Sequence, residues 1–455
     1  MRKFFLGLFL LPVAAAGLCA KTPPSASRVE TYRYASQLAP SAAYAVKVNG
    51  EDQFVYPTSE AQIVTFGCDG PVTVEVIPAR SGFSSVAVRP LSKNYPLKKT
   101  AEGIRLSLSP YDRVSVEFDG DESCPLFIFA NPLSGEKPSP EDPNVLFFEA
   151  GKVHPAGKIQ LRQGQRLYIE GGAVVDGYVS ASRLKGVSLD GFGILNAVPY
   201  TKEPNGIGIL ECGDVRVANL ITCNTSGRMA FFYKNLGVEI DNLKCVGRFY
   251  SGDQTDAIDL YCNQDVHVTR CFCYGNDDTY CIKSQKFQFA GEVKHIRFDD
   301  CIAWNYRGNS FELGYETNLD VSDIRYTNIY SIHSSGPEIE YRRGAVTIHA
   351  AAAGTVSDIS YENVFIEDPK EFGIMVWVLQ SEYNIGNGVT YAPGVVKNVR
   401  FKNVRFLKAP RYGNLVMGFD TAHTAEVSFE NLVVEGKKVR DDHGFHRAFC
   451  SLSFR

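Results

Sequence analysis

From residue 187 onward, the chain repeats a short run of alternating apolar and polar residues that is followed by a turn. The copies begin at residues 187, 215, 238, 266, 296, 324, 359, 399 and 427, at steps of 28, 23, 28, 30, 28, 35, 40 and 28 residues. Alternation at every second residue is the period of a β-strand and excludes a helical repeat. Strands that recur at this interval predict a solenoid, in which each turn buries its apolar face against its neighbours.

An asparagine recurs four residues after most of these starts, which indicates side-chain amides stacked along the coil. A propeller is disfavoured because it needs tight hairpins, and Asn-Gly or Asp-Gly hairpin signals are scarce. We therefore predict a right-handed parallel β-helix over residues 141–455. The ladder positions are Asn219, Asn242, Asn328, Asn363, Asn403 and Asn431, with Arg270 and Asp300 in two other copies.

Residues 21–140 lack the repeat and are predicted to form a small antiparallel β-sandwich. Runs such as "AQIVTFGC", "PVTVEVIPA" and "RVSVEFDG" read as strands between Gly, Pro and Ser turns. The Pro-rich stretch "NPLSGEKPSPEDPN", residues 131–144, is the expected linker between the domains. The whole chain is thus predicted to be all-β.

Residues 1–20, "MRKFFLGLFLLPVAAAGLCA", have a basic start, an apolar run and small residues, the layout of a signal peptide. The alternative is a membrane anchor, but the run is short for a span. We expect a secreted or periplasmic protein without a membrane span in the mature chain. A formal net charge of −4 gives no reason to expect nucleic acid as a partner. The 12 cysteines fall mostly at strand positions, which favours buried free thiols.

Candidate chemistry lies in "TDAIDLY" and "GNDDTYCIK". Asp256 precedes Asp277 by 21 residues and Asp278 by 22, close to one coil, and neighbouring coils lie about 4.8 Å apart. The three carboxylates are therefore expected to converge, with the backbone bent so that both members of the Asp pair face one cleft. The other double Asp, Asp299 and Asp300, occupies the ladder turn and is interpreted as structural.

Clustered carboxylates raise at least one pKa, so that a protonated and an ionised carboxyl coexist near neutral pH. Hydrolysis of a glycosidic bond requires this combination of acid and base. Calcium binding is the chemical alternative, because three carboxylates also suit a hard cation. We expect catalysis by Asp256, Asp277 and Asp278 without a metal or cofactor.

The segment "TDAIDLYCNQDVHVTRCFCYGNDD" resembles the polygalacturonase family, glycoside hydrolase family 28, in which an Asn-Thr-Asp-Gly segment precedes a double Asp by one coil. "NDDTYCIK" and "IAWNYRGNSFELGYE" are similar to the dextranase and isopullulanase family, glycoside hydrolase family 49, which joins a β-sandwich to a β-helix. Both families belong to one clan of inverting hydrolases. The resemblance implies that Asp277 is the general acid and that Asp256 and Asp278 hold the attacking water.

Two features depart from the polygalacturonase pattern. Its Gly-His-Gly is replaced by "RGNSFELG", with Gly308 and Asn309 but no His, and its uronate-gripping Arg-x-Lys by Thr347 and His349 in "VTIHA". A neutral or differently charged glycan is therefore open as substrate. The candidate substrate contacts on this face are Asp259, Lys283, Asn309, Glu312, Glu316 and His349, with Arg342 and Arg343 a coil further on.

The sequence predicts a secreted inverting glycoside hydrolase that acts on a polysaccharide or oligosaccharide. Two alternatives remain open at this point: a polysaccharide lyase, which needs a basic residue and usually calcium, and a non-catalytic glycan-binding solenoid. The fold does not choose among them, because function depends on the site.

Overall fold

The computed structural model describes residues 27–80, 82–197, 199, 205–223, 227–247, 255–286, 289–334, 343–380 and 392–455. The predicted signal peptide, residues 1–20, and Arg342 lie outside these ranges, so export stays a prediction. Within the same ranges, no helix is both long and apolar enough to cross a membrane.

Two β-sheets form the N-terminal sandwich, and their facing valines, leucines and phenylalanines make a core of their own. The sandwich is antiparallel as predicted, apart from one parallel pair, Gln62–Cys68 with Leu126–Pro132. A short 3₁₀ helix, Leu91–Lys93, follows one edge strand. The strands of the first sheet are Val29–Thr31, Tyr56–Pro57, Gln62–Cys68, Val86–Arg89, Arg113–Phe118 and Leu126–Pro132. The strands of the second sheet are Tyr44–Val48, Glu51–Gln53, Val72–Pro78, Leu97–Lys99 and Ile104–Leu108.

The rest of the chain winds into a right-handed parallel β-helix with three faces, named here A, B and C in the order in which a coil passes through them. The predicted boundary at residue 140 falls between the last sandwich strand, Leu126–Pro132, and the first coil strand, Val145–Phe148, and stays a prediction.

Face A carries the strand that begins each repeat. Its strands are Val145–Phe148, Arg166–Ile169, Ser188–Gly191, Gly213–Ala218, Leu236–Asp241, Gln264–Thr269, Val293–Asp299 and Cys450–Phe454. Four long strands start on face A and continue onto face B: Val321–His333, Thr355–Ile366, Val395–Phe406 and Ala425–Val434. Face B is completed by Ile194–Asn196, Ile221–Cys223, Lys244–Val246, Phe272–Gly275 and Ile302–Asn305.

Face C carries the candidate substrate contacts that the sequence analysis names. Its strands are Asn205–Leu210, Arg228–Tyr233, Ile258–Tyr261, Tyr280–Lys283, Phe311–Tyr315, Gly344–Ala350, Phe372–Val378, Asn414–Met417 and Phe445–Ala448. Val153–Gln160 and Val174–Ser182 extend across faces B and C in the first coils. Two short antiparallel pieces, Gln285–Lys286 with Phe289–Ala290 and Lys437–Lys438 on Ala425–Val434, lie outside this pattern.

The register of face A confirms the repeat predicted from the sequence. Val215 pairs with Val238, Val238 with Val266, and each later start pairs with the next. The residue two positions after each start is aromatic in the C-terminal coils, and the rings stack inside the helix at 4.5–5.3 Å. These stacked residues are Phe298, Tyr326, Tyr361, Phe401, Phe429 and Phe454.

The asparagine ladder is confirmed as well. Each asparagine of the ladder has a positive φ of 51–65°, a left-handed conformation that asparagine adopts more readily than most residues. The Asn242 amide donates to Asn219 at 2.9 Å, and the Asn363 amide donates to Asn328 at 3.0 Å. One turn conformation per coil therefore explains the recurring residue.

The sandwich packs on face B through the outer side of its first sheet. The ring of Phe127 lies 4.8 Å from Phe272 and 5.8 Å from Trp304, within a continuous apolar layer that both domains supply. The sandwich thus covers part of face B. The contact explains Asp300, which binds buried Arg113 of the sandwich at 2.5 Å and Lys93 at 2.8 Å. The structural interpretation of this residue is confirmed.

A second polar contact between the domains centres on buried His333. Its Nε2 lies 3.1 Å from Glu117 of the sandwich, and its Nδ1 lies 3.0 Å from Asp368 of the coil. Burial alone would lower the pKa of His333, but hydrogen bonds to Asp368 and Glu117 raise it. Burial likewise opposes ionisation of Glu117, yet His333 and Arg89 hold the pKa of that carboxyl at about 2.

The cysteines of the described ranges are free, and most of them are buried. Cys245, Cys271, Cys273 and Cys301 belong to the apolar core of the coil. They act as small core residues, as their strand positions indicate.

Candidate active site

The three aspartates lie at the corner between faces B and C. Asp277 and Asp278 occupy a bend between Phe272–Gly275 and Tyr280–Lys283, where the sequence predicts that the backbone turns. Asp256 lies one coil earlier, and the pairing of Ile258 with Tyr280 places it beside Asp278. One oxygen from each of the three carboxylates lies within 4.8 Å of the others. Coil register therefore produces the cluster.

The next coil supports the bend from below. The Asn305 side chain donates to the Asp277 carbonyl at 2.5 Å. Asn309 donates its backbone N–H and its side-chain amide to the same oxygen of Asp278, at 3.0 and 2.9 Å. A Cβ at Gly308 would lie 2.5 Å from the carbonyl carbon of Asp277, so that only glycine lets the coils approach so closely. The Asn309 contact is thus to a carboxylate of the cluster.

Three cations surround the carboxylates. The Arg228 Nε lies 3.6 Å from Asp256, the Lys283 Nζ 3.9 Å from Asp278, and the Arg343 Nη1 3.7 Å from Asp277. Lys283 also pairs with Glu316 at 3.5 Å. These contacts compensate part of the repulsion among the carboxylates.

The aspartates differ in exposure and in protonation. The Asp277 side chain is 21% exposed, against 4% for Asp256 and 7% for Asp278, so Asp277 faces the open side of the corner. Burial, followed by the charges of Asp278 and Asp256, raises the pKa of Asp277 well above its ordinary value. Burial and Asp259 raise the pKa of Asp256 to about 7. Near neutral pH the cluster therefore holds at least one proton.

Besides Asn309, three of the predicted substrate contacts are buried and have protein partners instead. Asp259 projects outward from face C as expected, but it is fully buried and binds Arg228 at 2.5 Å. Glu312 and His349 are fully buried and face each other at 2.8 Å, and Glu312 also accepts from Thr347. Asp259, Glu312 and His349 thus contact other protein side chains in place of substrate. The reason is that adjacent coils stack these side chains against one another.

Asn309 is also fully buried, against Asp278, whereas Lys283 and Glu316 remain at the rim. Lys283 and Glu316 are 10% and 17% exposed beside the cluster, where a substrate can reach them. Arg228 is the functional candidate that the sequence reasoning missed. It lies 28 residues before Asp256, one coil step, and this spacing is the signal that identifies it.

Two groups of side chains in the described ranges could hold a metal ion. One is the aspartate cluster itself, and the other is Glu122, His333 and Asp368 at the domain contact. In the second group Lys370 already pairs with Glu122 at 2.6 Å and Lys408 with Asp368 at 2.7 Å. The carboxylates of that group thus have cationic partners within the protein.

Comparison with known proteins adds a family and a fold. A family model described as "Glycosyl hydrolases family 28" matches residues 149–448. In structure the chain is similar to Dex49A from Penicillium minioluteum, with a TM-score of 0.72 at 15% identity over 93% of this chain and 96% of that one. It is also similar to a polygalacturonase from Erwinia carotovora ssp. carotovora, with a TM-score of 0.52 at 14% identity over 68% and 89%. No curated protein sequence matches it.

Proposed function

Because the family match covers most of its length, this chain belongs to glycosyl hydrolases family 28, and we propose that it cleaves its glycan by a single displacement with inversion. It is a glycoside hydrolase of the β-helix type that acts on polysaccharides. The observation that carries the proposal is the convergence of three carboxylate oxygens within 4.8 Å at the corner of faces B and C.

In this mechanism Asp277 is the general acid. It is the most exposed carboxyl of the three, and its raised pKa keeps a proton available for the leaving oxygen. Asp256 and Asp278 hold the attacking water, since the Arg228 guanidinium lies beside Asp256, and Lys283 and Asn309 hold Asp278 in place. The assignment of roles follows the family resemblance given above.

A retaining mechanism is the second candidate, because one carboxylate of a close pair could also act as a nucleophile. Carboxyl groups in retaining glycosidases lie about 5–5.5 Å apart, whereas inverting pairs lie about 6.5–9.5 Å apart. The 4.8 Å here joins one oxygen of each carboxylate, not the centres of the groups, and is compatible with both spacings. Inversion is preferred because a third carboxylate allows two of them to share one water, and the anomeric configuration of the first product decides between the two mechanisms.

We propose a neutral glycan as the substrate. At the positions where the resembling polygalacturonases carry Arg-x-Lys, this chain has Thr347 and His349, both engaged by Glu312. The three cations at the site each lie against a carboxylate, and a uronate would compete for them.

We expect new reducing ends from a neutral polysaccharide and little or no cleavage of unesterified polygalacturonate. The measurement is a screen of neutral and acidic plant, algal and bacterial polysaccharides, with fully esterified pectin as the matched control for backbone shape. Efficient hydrolysis of unesterified polygalacturonate would show that the neutral-glycan proposal is wrong.

Chelation tests whether the carboxylates act as acid and base or as metal ligands. Activity should survive EDTA, because protons and the neighbouring cations already balance the cluster. Product formation is followed both as reducing ends and as ultraviolet absorbance of unsaturated sugars, with calcium added back as the control. Loss that calcium restores, together with unsaturated products, would favour a lyase.

A further inference from the structure

Behind Asp256 lies a buried ion pair that the proposed mechanism does not yet use. The Arg228 Nε is 2.5 Å from Asp259 and 3.6 Å from Asp256, so one guanidinium bridges two carboxylates. The guanidinium carbon lies 5.1 Å above the Phe231 ring and 5.7 Å above the Tyr261 ring. These rings fix the orientation of the cation, because cations bind preferentially over aromatic faces.

The position of this pair follows from the coil register. Arg228 begins the face C strand of one coil, and Asp256 and Asp259 flank the start of the next, where Phe231 pairs with Asp259. Arg228 is 7% exposed and Asp259 is fully buried, so solvent screens neither charge effectively. A charge this close to a buried carboxylate changes its protonation.

We infer that Arg228 and Asp259 are positioning residues, which together orient Asp256 and set the pH at which it becomes able to hold the attacking water. This inference rests on the proposed function, since it assigns a task to the neighbours of a proposed catalytic carboxylate. Asp259 opposes ionisation of Asp256, and Arg228 favours it. Arg228 and Asp259 therefore shift the ionisation of Asp256 in opposite directions.

The other charged groups around Asp256 also influence its ionisation, and they are the same in every variant of Arg228 and Asp259. Lys283 of the next coil favours the ionised form of Asp256. The carboxylates of Asp277 and Asp278 lie within 4.8 Å of it, and like charges at that range oppose its ionisation. Glu316 binds Lys283 and so reduces its influence. Changes confined to Arg228 and Asp259 leave these contributions in place.

The test is the acid limb of the pH profile of kcat/KM, which reports ionisations of the free enzyme. Asp256 works ionised, so activity falls below its pKa. Arg228→Gln removes a stabilising cation, and we expect the limb to move to higher pH by about one unit. Asp259→Asn removes a repelling anion, and the limb should move to lower pH by a similar amount. The double variant should lie near the wild type.

Two further variants keep the test decisive. Arg228→Lys retains the charge and should leave the limb near its wild-type position even if the rate falls. Arg216→Gln, which removes an exposed cation from face A of the same solenoid, should leave the limb unchanged. If Arg228→Gln does not fold, Asp259→Asn still gives the direction of the shift, with Arg228→Lys as the reference that retains the charge.

The outcomes separate this inference from the function on which it rests. Shifts in the same direction for Arg228→Gln and Asp259→Asn, or no shift in either, overturn the positioning roles while Asp256→Asn remains inactive. Full activity of Asp256→Asn overturns the proposed function itself.

Discussion

Asp277→Asn should lower turnover on a natural glycan by about 10²–10⁴-fold, the usual contribution of general acid catalysis. The substitution removes the proton donor and keeps the shape of the side chain, so substrate binding should change little. With an activated aryl glycoside, whose leaving group needs no proton, much of the lost rate should return. The measurement is kcat for both substrates in the wild type and the variant.

Asp256→Asn and Asp278→Asn are the matched controls, since each also exchanges a carboxylate for an amide in the same cluster. Neither should recover with the aryl glycoside, because the water would still lack its base. Proton NMR of the first product in the wild type should show the anomeric configuration opposite to that of the substrate. A retained configuration would support the retaining mechanism, and a fully active Asp277→Asn would show that the site lies elsewhere.

His333→Phe should lower the free energy of unfolding by about 1–3 kcal/mol, the usual cost of removing a hydrogen-bond partner from buried polar groups, because Arg89 and Lys408 still pair with the two carboxylates that the histidine contacts. The ring remains to pack on Trp304, whose centroid lies 4.4 Å away, but Glu117 and Asp368 lose a shared partner. Chemical denaturation at fixed pH measures the difference. His295→Phe, at an exposed histidine that pairs with Asp265, is the control and should cost far less.

The pH dependence of this difference has a definite sign. The pKa of His333 is raised above its ordinary value of 6.5 in the folded protein. Its stabilising contribution is therefore complete below the unfolded pKa and is lost as the pH rises through the folded one. The wild type and His333→Phe should differ most at mildly acid pH and converge at alkaline pH. A difference that grows with pH would contradict the ionised contact.

The β-helix could be predicted in detail because its signals are local. Alternation defines each strand, and the left-handed turn after it selects asparagine, so that residues such as Asn242 and Asn363 fix the register of whole coils. The coils around Leu167 and Leu452 lack that asparagine, and the sequence did not reveal them, although Leu167 pairs with Leu189 and Leu452 with Val427 on face A. Where the turn signal is absent, alternation over a few residues is too weak.

The candidate site was predictable to the extent that it depends on coil spacing. Asp256 and Asp278 are one coil apart in sequence and therefore adjacent in space. The partners of Asp259 and His349 were not predictable, because several side chains on face C can reach each outward position and only packing selects among them. The contact of Arg113 with Asp300 joins residues 187 positions apart, which no local pattern indicates.

The covered part of face B has a consequence for the order of folding. A chain is synthesised from its N-terminus. The whole sandwich is therefore made before the strands of face B that bury the outer side of its first sheet. Phe127 meets Phe272 and Trp304 only after some 145 to 177 further residues have been made. Until then an apolar sheet surface is open to other chains, and contacts of such high sequence separation form slowly. The surface that fixes the two domains together is thus also the one that most needs protection during biogenesis.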